Sequence, residues 1–345
     1  NLAALVAAVS HNQFECLKWM HMRSGTNTEN FSNSALLCEA ALARTPDNPT
    51  YRARLLKCML HAGRHHSVLA QAEGLAAMCA PADVQGNWGA SFGECAVAAA
   101  WKLGQWETLE RQVSRNDAPD SFETSIGSGV LAVHKRDRAA VDRAAQHGRS
   151  AMCMRLAAAA MESYDRAYPY LIRLHMMQEV VDGCEMARGI DACMDGLSIG
   201  TAPAPARVQE KVDLIELPFH WKDRLAITED ALNTRYPMLA LRGRLLHESG
   251  RFYRAAETWL AAAKLARKAS RKDVARAALL EVDTMRRAAL RMLGVQIVGT
   301  GDDHQLDTGF GQQCLHRRDN LHVGQAVMDL GGIAGDDRPQ RHALR

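Results

Sequence analysis

Apolar residues recur along this chain in helical rather than alternating rhythm. Nowhere is there a sustained apolar–polar alternation of the kind a half-buried strand needs. Instead, Ala-, Leu-, Met-, Arg- and Glu-rich runs follow one another, and these side chains lose little rotamer freedom in a helix. The runs come in pairs. TYRARLLKCMLHA (50–62) predicts a helix ending at Gly63, with HHSVLAQAEGLAAMC (65–79) as its return partner. ECAVAAAWKLGQWETLERQV (94–113) repeats the device around Gly104, and YPMLALRGRLLHESGRFYRAAETWLAAAKLARKA (236–269) repeats it around Gly250. Glycine suits these places because a helix C-terminus commonly closes with a residue in the left-handed region.

Gly63 and Gly104 lie 41 positions apart, within the period range of helical-hairpin repeats. Leu103, Gly104 and Trp106, and likewise Gly250, Tyr253 and Ala256, resemble the tetratricopeptide arrangement of turn glycine, aromatic and small residue. TPDNP (45–49) marks a break before a helix start, and AMCMRLAAAAM (151–161) suits close helix packing. The expected fold is therefore all-α, a tetratricopeptide/HEAT-like solenoid of antiparallel helix pairs, with a non-repeating bundle as the alternative.

Two stretches interrupt the pattern. The Gly- and Pro-rich segment 183–207 predicts a long loop between one helical-repeat block over 1–182 and a second over 208–306. Over 307–345 the periodicity fades, and Gly, Asp, His and Arg accumulate. That segment reads as a disordered tail or as sequence from a mis-predicted gene model, the latter being the expectation. The chain opens on Asn1 rather than Met, so a piece of a longer protein is expected.

Composition narrows the function classes. Hydrophobic residues make up 47% of the 345, enough for a continuous core, while the net charge of +3 gives no support to a nucleic-acid-binding surface. Nine cysteines, an odd number with no C-x-x-C pair, indicate neither zinc nor a disulfide framework and fit a reducing compartment. The opening residues lack a signal-peptide pattern, and their apolar run is too short to span a bilayer, so no membrane association is expected.

Chemistry-bearing motifs are scarce. No phosphate loop, dinucleotide fingerprint, zinc-binding H-E-x-x-H helix or nucleophile elbow occurs. GDDHQLD (301–307) matches a kinase catalytic loop only at Gly301, Asp302 and His304; Asp303 and Asp307 stand where that loop needs Arg and Asn, so a turn is expected. His61, His65 and His66 surround Gly63 without a completing carboxylate or Cys, which favours a surface turn over a metal site. Among the tryptophans, Trp101, Trp106 and Trp259 fall at helix-packing positions, and no basic groove interleaves with Trp88 or Trp221. KLARKASRK gathers Lys264, Arg267, Lys268, Arg271 and Lys272, several on one side if the segment is helical. These are the candidate face for a phosphate-bearing ligand or an acidic partner, against a plain solvated face. RKAS (267–270) also resembles a basophilic phosphorylation site at Ser270.

Several strings occur in a telling order: AWKLGQW (100–106), SFETSIGSGVLAVHKRD (121–137), MESYDRAYPYLIRLHMMQEV (161–180), HWKDRL (220–225), YPMLALRGRLL (236–246) and WLAAAKLARKA (259–269). Within them, Tyr164, Tyr168, Tyr170, Arg173, Leu174, His175 and Met176 form the strongest block, followed by Leu239, Ala240, Leu241 and Arg242, then Trp259, Leu260 and Ala266 to Ala269. Over roughly residues 30–306 the chain resembles the FAT domain of ATR-type checkpoint kinases, relatives of phosphoinositide 3-kinases. The resemblance implies a nuclear protein serine/threonine kinase that signals DNA damage and replication stress. In that family the FAT domain is an α-solenoid supporting a kinase domain in cis, alongside a regulatory partner protein and a dimer mate. It implies no catalytic residue, cofactor or metal on this chain, with ATP and Mg confined to the kinase domain, and no direct contact with nucleic acid. A free-standing tetratricopeptide-like adaptor is the alternative, and a helical transferase using the His-rich turn a third reading.

Overall fold

A computed structural model describes residues 29–78, 87–115, 121–197 and 219–292. Among them are twelve helices and no strand: α1 (Glu29–Arg44), α2 (Pro49–His61), α3 (His65–Met78), α4 (Asn87–Leu103), α5 (Trp106–Arg115), α6 (Phe122–His134), α7 (Arg138–Glu162), α8 (Tyr164–Leu197), α9 (Phe219–Ile227), α10 (Leu232–Glu248), α11 (Phe252–Lys268) and α12 (Lys272–Met292). The described residues up to Ala289 belong to one compact unit. No described helix is long and apolar enough to cross a membrane.

Consecutive helices from α1 to α8 pack on one another, as do α10 and α11, and each even-numbered helix from α2 to α8 also packs on the next even one. The even helices thus form an inner row flanked by α3, α5, α7 and α11. Burial follows from that placement. Ala96 to Trp101 on α4 and Met238 to Leu246 on α10 are buried on every side, as a helix in the middle of a stack must be. The outer α7 buries a single stripe, with Val141, Ala144, Ala145, Gly148 and Met152 inward. The Ala-rich run 151–161 is therefore only partly a packing surface: Met152 and Ala159 are buried, whereas Met154 and Met161 are exposed.

Five turns share one backbone. At Gly63, Gly104, Arg136, Gly250 and Ser270 the chain enters the left-handed region, with φ of 76°, 68°, 60°, 72° and 58°. In each, the following N–H reaches back to a carbonyl five residues earlier, as from Gln105 to Ala100 (3.1 Å) and from Arg271 to Ala266 (2.9 Å). This Schellman-type closure satisfies the orphan carbonyls of the outgoing helix. The next residue's carbonyl then opens the returning helix, as Gln105 does for Leu109 (2.8 Å). The break at 45–48 works differently: the Asn48 side chain accepts from the Thr50 N–H, and Pro49 opens α2.

One expectation is corrected. The loop predicted from residue 183 does not begin there, because α8 continues to Leu197. Gly183 is a packing residue, since a Cβ on it would stand 3.0 Å from the Leu245 side chain of α10, whereas a Cβ on Gly189 would meet open space. Cys184, Met186, Ala187 and Ile190 continue the buried stripe at helical spacing. Residues 198–207, the turn at 301–307 and the tail 307–345 lie outside the described residues.

Candidate functional site

A dry, charged seam runs where α8 and α10 meet. Glu179 of α8 is fully buried, and Arg242 of α10 grips both its carboxylate oxygens, Nε to Oε2 at 3.0 Å and Nη2 to Oε1. Burial pushes the Glu179 carboxyl up from its ordinary value, and the Arg242 guanidinium pulls against that rise. The guanidinium carbon also lies 5.3 Å from the Trp221 ring centre, which brings α9 into the cluster. One turn along α8, Asp182 accepts from Arg224 Nη1 (2.7 Å) and Gln178 Nε2 (2.9 Å). Two arginines on different elements thus read two carboxylates on one helix, which fixes the register of α9 and α10 on α8.

Two further clamps extend the seam. Arg244, almost fully buried, donates through Nη2 to the Lys102 carbonyl and to Glu281 Oε2 (3.1 Å), joining α4, α10 and α12. It lies so close to Gly104 that a Cβ there would come within 2.8 Å of Nη1. Glu248, buried at the end of α10, sits between His134 Nδ1 (2.6 Å) and His247 Nδ1 (2.8 Å). Burial alone would raise its carboxyl, but hydrogen bonds from His247 and His134 hold it below its ordinary value. His134 stacks on Trp106 at 4.3 Å. Arg136 reaches Asp191 (2.9 Å) and the Glu248 carbonyl (2.7 Å) from its left-handed turn.

In these clamps the charges face one another. Among the described residues no group of three or more His, Cys, Asp or Glu could hold a metal ion. The three histidines near Gly63 diverge: His61 and His66 are exposed, while His65 turns inward. Burial, with Lys102, His66 and Arg244 nearby, pushes His65 well below its usual value, so it is not the surface residue expected. Trp101, Trp221 and Trp259 are buried packing anchors, and Trp106 is half-buried.

The basic stretch is not one helical face. α11 ends at Lys268 and α12 begins at Lys272, with Ser270 in the left-handed turn between them. Lys264, Arg267 and Lys272 are exposed. Lys268 instead holds Asp230 (Nζ to Oδ2 2.6 Å), lowering that carboxyl, and Arg271 Nη2 donates to the His61 carbonyl (3.2 Å). The seam was hidden from sequence reasoning because Glu179 and Arg244 are ordinary charged residues in helical runs. Arg242 stood out only as part of the family-like string.

The Tyr164–Met176 block that carried the family resemblance lies on the same helix, α8, ahead of Glu179. Tyr168 Oη accepts the Glu229 N–H (2.7 Å), the Arg173 guanidinium sits 5.3 Å from the Phe122 ring centre, and Met176 is buried. A family model, the FAT domain, matches residues 93–296, more than half of the chain. The serine/threonine-protein kinase ATR of Arabidopsis thaliana is 28% identical over 262 residues, 73% of this chain and 9% of its own length. The ATR kinase of Oryza sativa subsp. indica is 28% identical over 265 residues, 74% of this chain and 9% of its own. The serine/threonine-protein kinase TOR of Arabidopsis thaliana is 28% identical over 203 residues, 54% of this chain and 8% of its own. The chain thus spans less than a tenth of the length of these relatives.

Proposed function

Because the chain belongs to the FAT-domain family, we propose that it is the helical scaffold segment of an ATR-type protein serine/threonine kinase. In this reading it acts in the nucleus, in DNA-damage and replication-stress checkpoint signalling, and supplies no catalytic group, cofactor site or metal site. It supports and restrains a kinase domain in cis, where ATP and Mg bind, and shares the work with a regulatory partner protein and a dimer mate. The observation that carries the reading is the alignment with ATR kinases across about three quarters of the chain, against about half for the TOR kinase of Arabidopsis thaliana. The interlocked charges of α8, α9 and α10 fit a part that transmits force rather than one that turns over substrate. The exposed cations Lys264 and Arg267 on α11 and Lys272 at the start of α12 are offered to an acidic partner surface.

The test is to read the transcript that carries this chain and to express the protein it encodes. The expected result is a downstream kinase domain with a G-D-R-H-x-x-N loop followed by D-F-G, whose activity rises after replication arrest. An open reading frame without that domain, encoding a soluble peptide-binding monomer, would replace this reading with the free adaptor.

A further inference from the structure

We propose that Ser270 is a phosphorylation site for a separate basophilic protein serine/threonine kinase, and that its phosphate frees the α11–α12 turn from two neighbouring segments. Three observations meet at this residue. Ser270 is exposed, at the tip of a turn between two helix ends. Arg267 and Lys268 stand three and two positions before it, both exposed, the cations by which a basophilic kinase selects its substrate. Its backbone lies at φ 58°, a conformation unfavourable for a residue with a Cβ. A kinase cleft takes its substrate extended, so this turn must open. Opening breaks the bonds from Ser270 to Arg267 and from Arg271 to Ala266 (both 2.9 Å) but relieves that backbone.

The transfer itself needs only Mg–ATP as co-reactant. The Ser270 Oγ forms a bond to the γ-phosphorus, the β–γ bridging P–O bond breaks, ADP departs, and the hydroxyl proton passes to solvent through the kinase's base.

The consequence follows from what the neighbouring cations now hold. Lys268 pairs with Asp230, in the connection between α9 and α10, and Arg271 donates to the His61 carbonyl, at the end of α2. A phosphoserine carries about −1.5 to −2 charges near neutral pH and three acceptor oxygens, more than one exposed carboxylate or a neutral carbonyl offers. Placed within reach of Arg267, Lys268, Arg271 and Lys272, and just ahead of the α12 N-terminus, it draws Lys268 and Arg271 to itself. Asp273, whose carboxylate acts on Arg271, opposes this from the first turn of α12.

The experiment uses the whole 345-residue chain with a purified kinase that selects Arg at the third position before serine, with Mg–ATP and site mapping by mass spectrometry. A synthetic peptide of residues 262–275 serves as the unstructured reference. Phosphate is expected on Ser270 of the folded chain, absent in Ser270→Ala and slowed by about tenfold or more when Arg267→Ala and Lys268→Ala are combined. Hydrogen exchange is then expected to quicken at residues 61–66 and 228–232 in the phosphorylated chain alone. Phosphorylation of the peptide but not of the chain would overturn the site, and a phosphorylated chain with unchanged exchange would overturn the release.

Discussion

The α4–α5 turn at Gly104 and the α11–α12 turn at Ser270 close with the same two backbone hydrogen bonds. Their surroundings diverge completely. Gly104 lies against the buried Arg244 guanidinium, which also takes the Lys102 carbonyl and Glu281, so the turn is a fixed part of the seam. At the other turn Ser270 itself is exposed, and its neighbours Lys268 and Arg271 make an exposed ion pair to Asp230 and a hydrogen bond to the His61 carbonyl. A repeat fold supplies one turn many times over; what flanks the left-handed residue decides whether a given copy is an anchor or an accessible surface. The charged contacts sort the same way. Buried ones, such as Glu179–Arg242, specify which helices meet, whereas the exposed pairs contribute little.

The largest effect is expected inside the seam. Glu179→Ala leaves Arg242 buried without its anion and is predicted to cost about 3–5 kcal/mol in urea unfolding. Replacing the pair together, with Glu179→Leu and Arg242→Met, is predicted to recover most of that loss, because no charge then remains unpaired. Next come paired changes in one backbone slot. Gly104→Ala places a Cβ in a left-handed turn and against Arg244, for a loss of about 1–3 kcal/mol. Ser270→Gly removes the same backbone penalty at an exposed residue, and a gain of up to about 1 kcal/mol is expected. Equal signs in thermal unfolding would erase the distinction between the two turns.

A smaller effect concerns pH. The Glu248 carboxyl is held below its ordinary value of 4.5, so the stability it contributes is fully present above that value. It is lost as the pH falls through the lowered value. Stability measured from pH 6 to pH 3 should therefore fall less steeply in His134→Gln and His247→Gln than in the parent chain. The smallest effect is expected for Lys268→Ala, whose exposed pair with Asp230 should leave the unfolding midpoint unchanged within error.

The helices and the glycine-marked turns were legible because they depend on local rules. Gly63, Gly104 and Gly250 announce left-handed positions by residue type. Arg136 and Ser270 occupy the same slot invisibly. Arg136 is held there by its bonds to Asp191 and to the Val133 and Glu248 carbonyls, contacts that no local pattern encodes. Gly183 misled in the opposite sense. Read as a loop marker, it is a contact point for Leu245 in mid-helix, and only the partner helix distinguishes the two roles. The seam was the least legible part, since Glu179, Asp182, Arg224 and Arg242 meet across 42 to 63 residues of sequence. Similarly, KLARKASRK looked like one helical face, although a left-handed serine divides it.

The proposed scaffold role is tested most directly by placing Glu179→Ala and Ser270→Gly in the ATR-type kinase proposed to contain this chain and measuring its ATP-dependent serine/threonine kinase activity. The prediction is that the first loses most of its activity while its separately assayed kinase domain stays active, and that the second retains it. Full activity in the Glu179→Ala protein, with the seam shown to be broken by accelerated hydrogen exchange in α8 and α10, would contradict the claim that these helices hold the kinase domain in its working state.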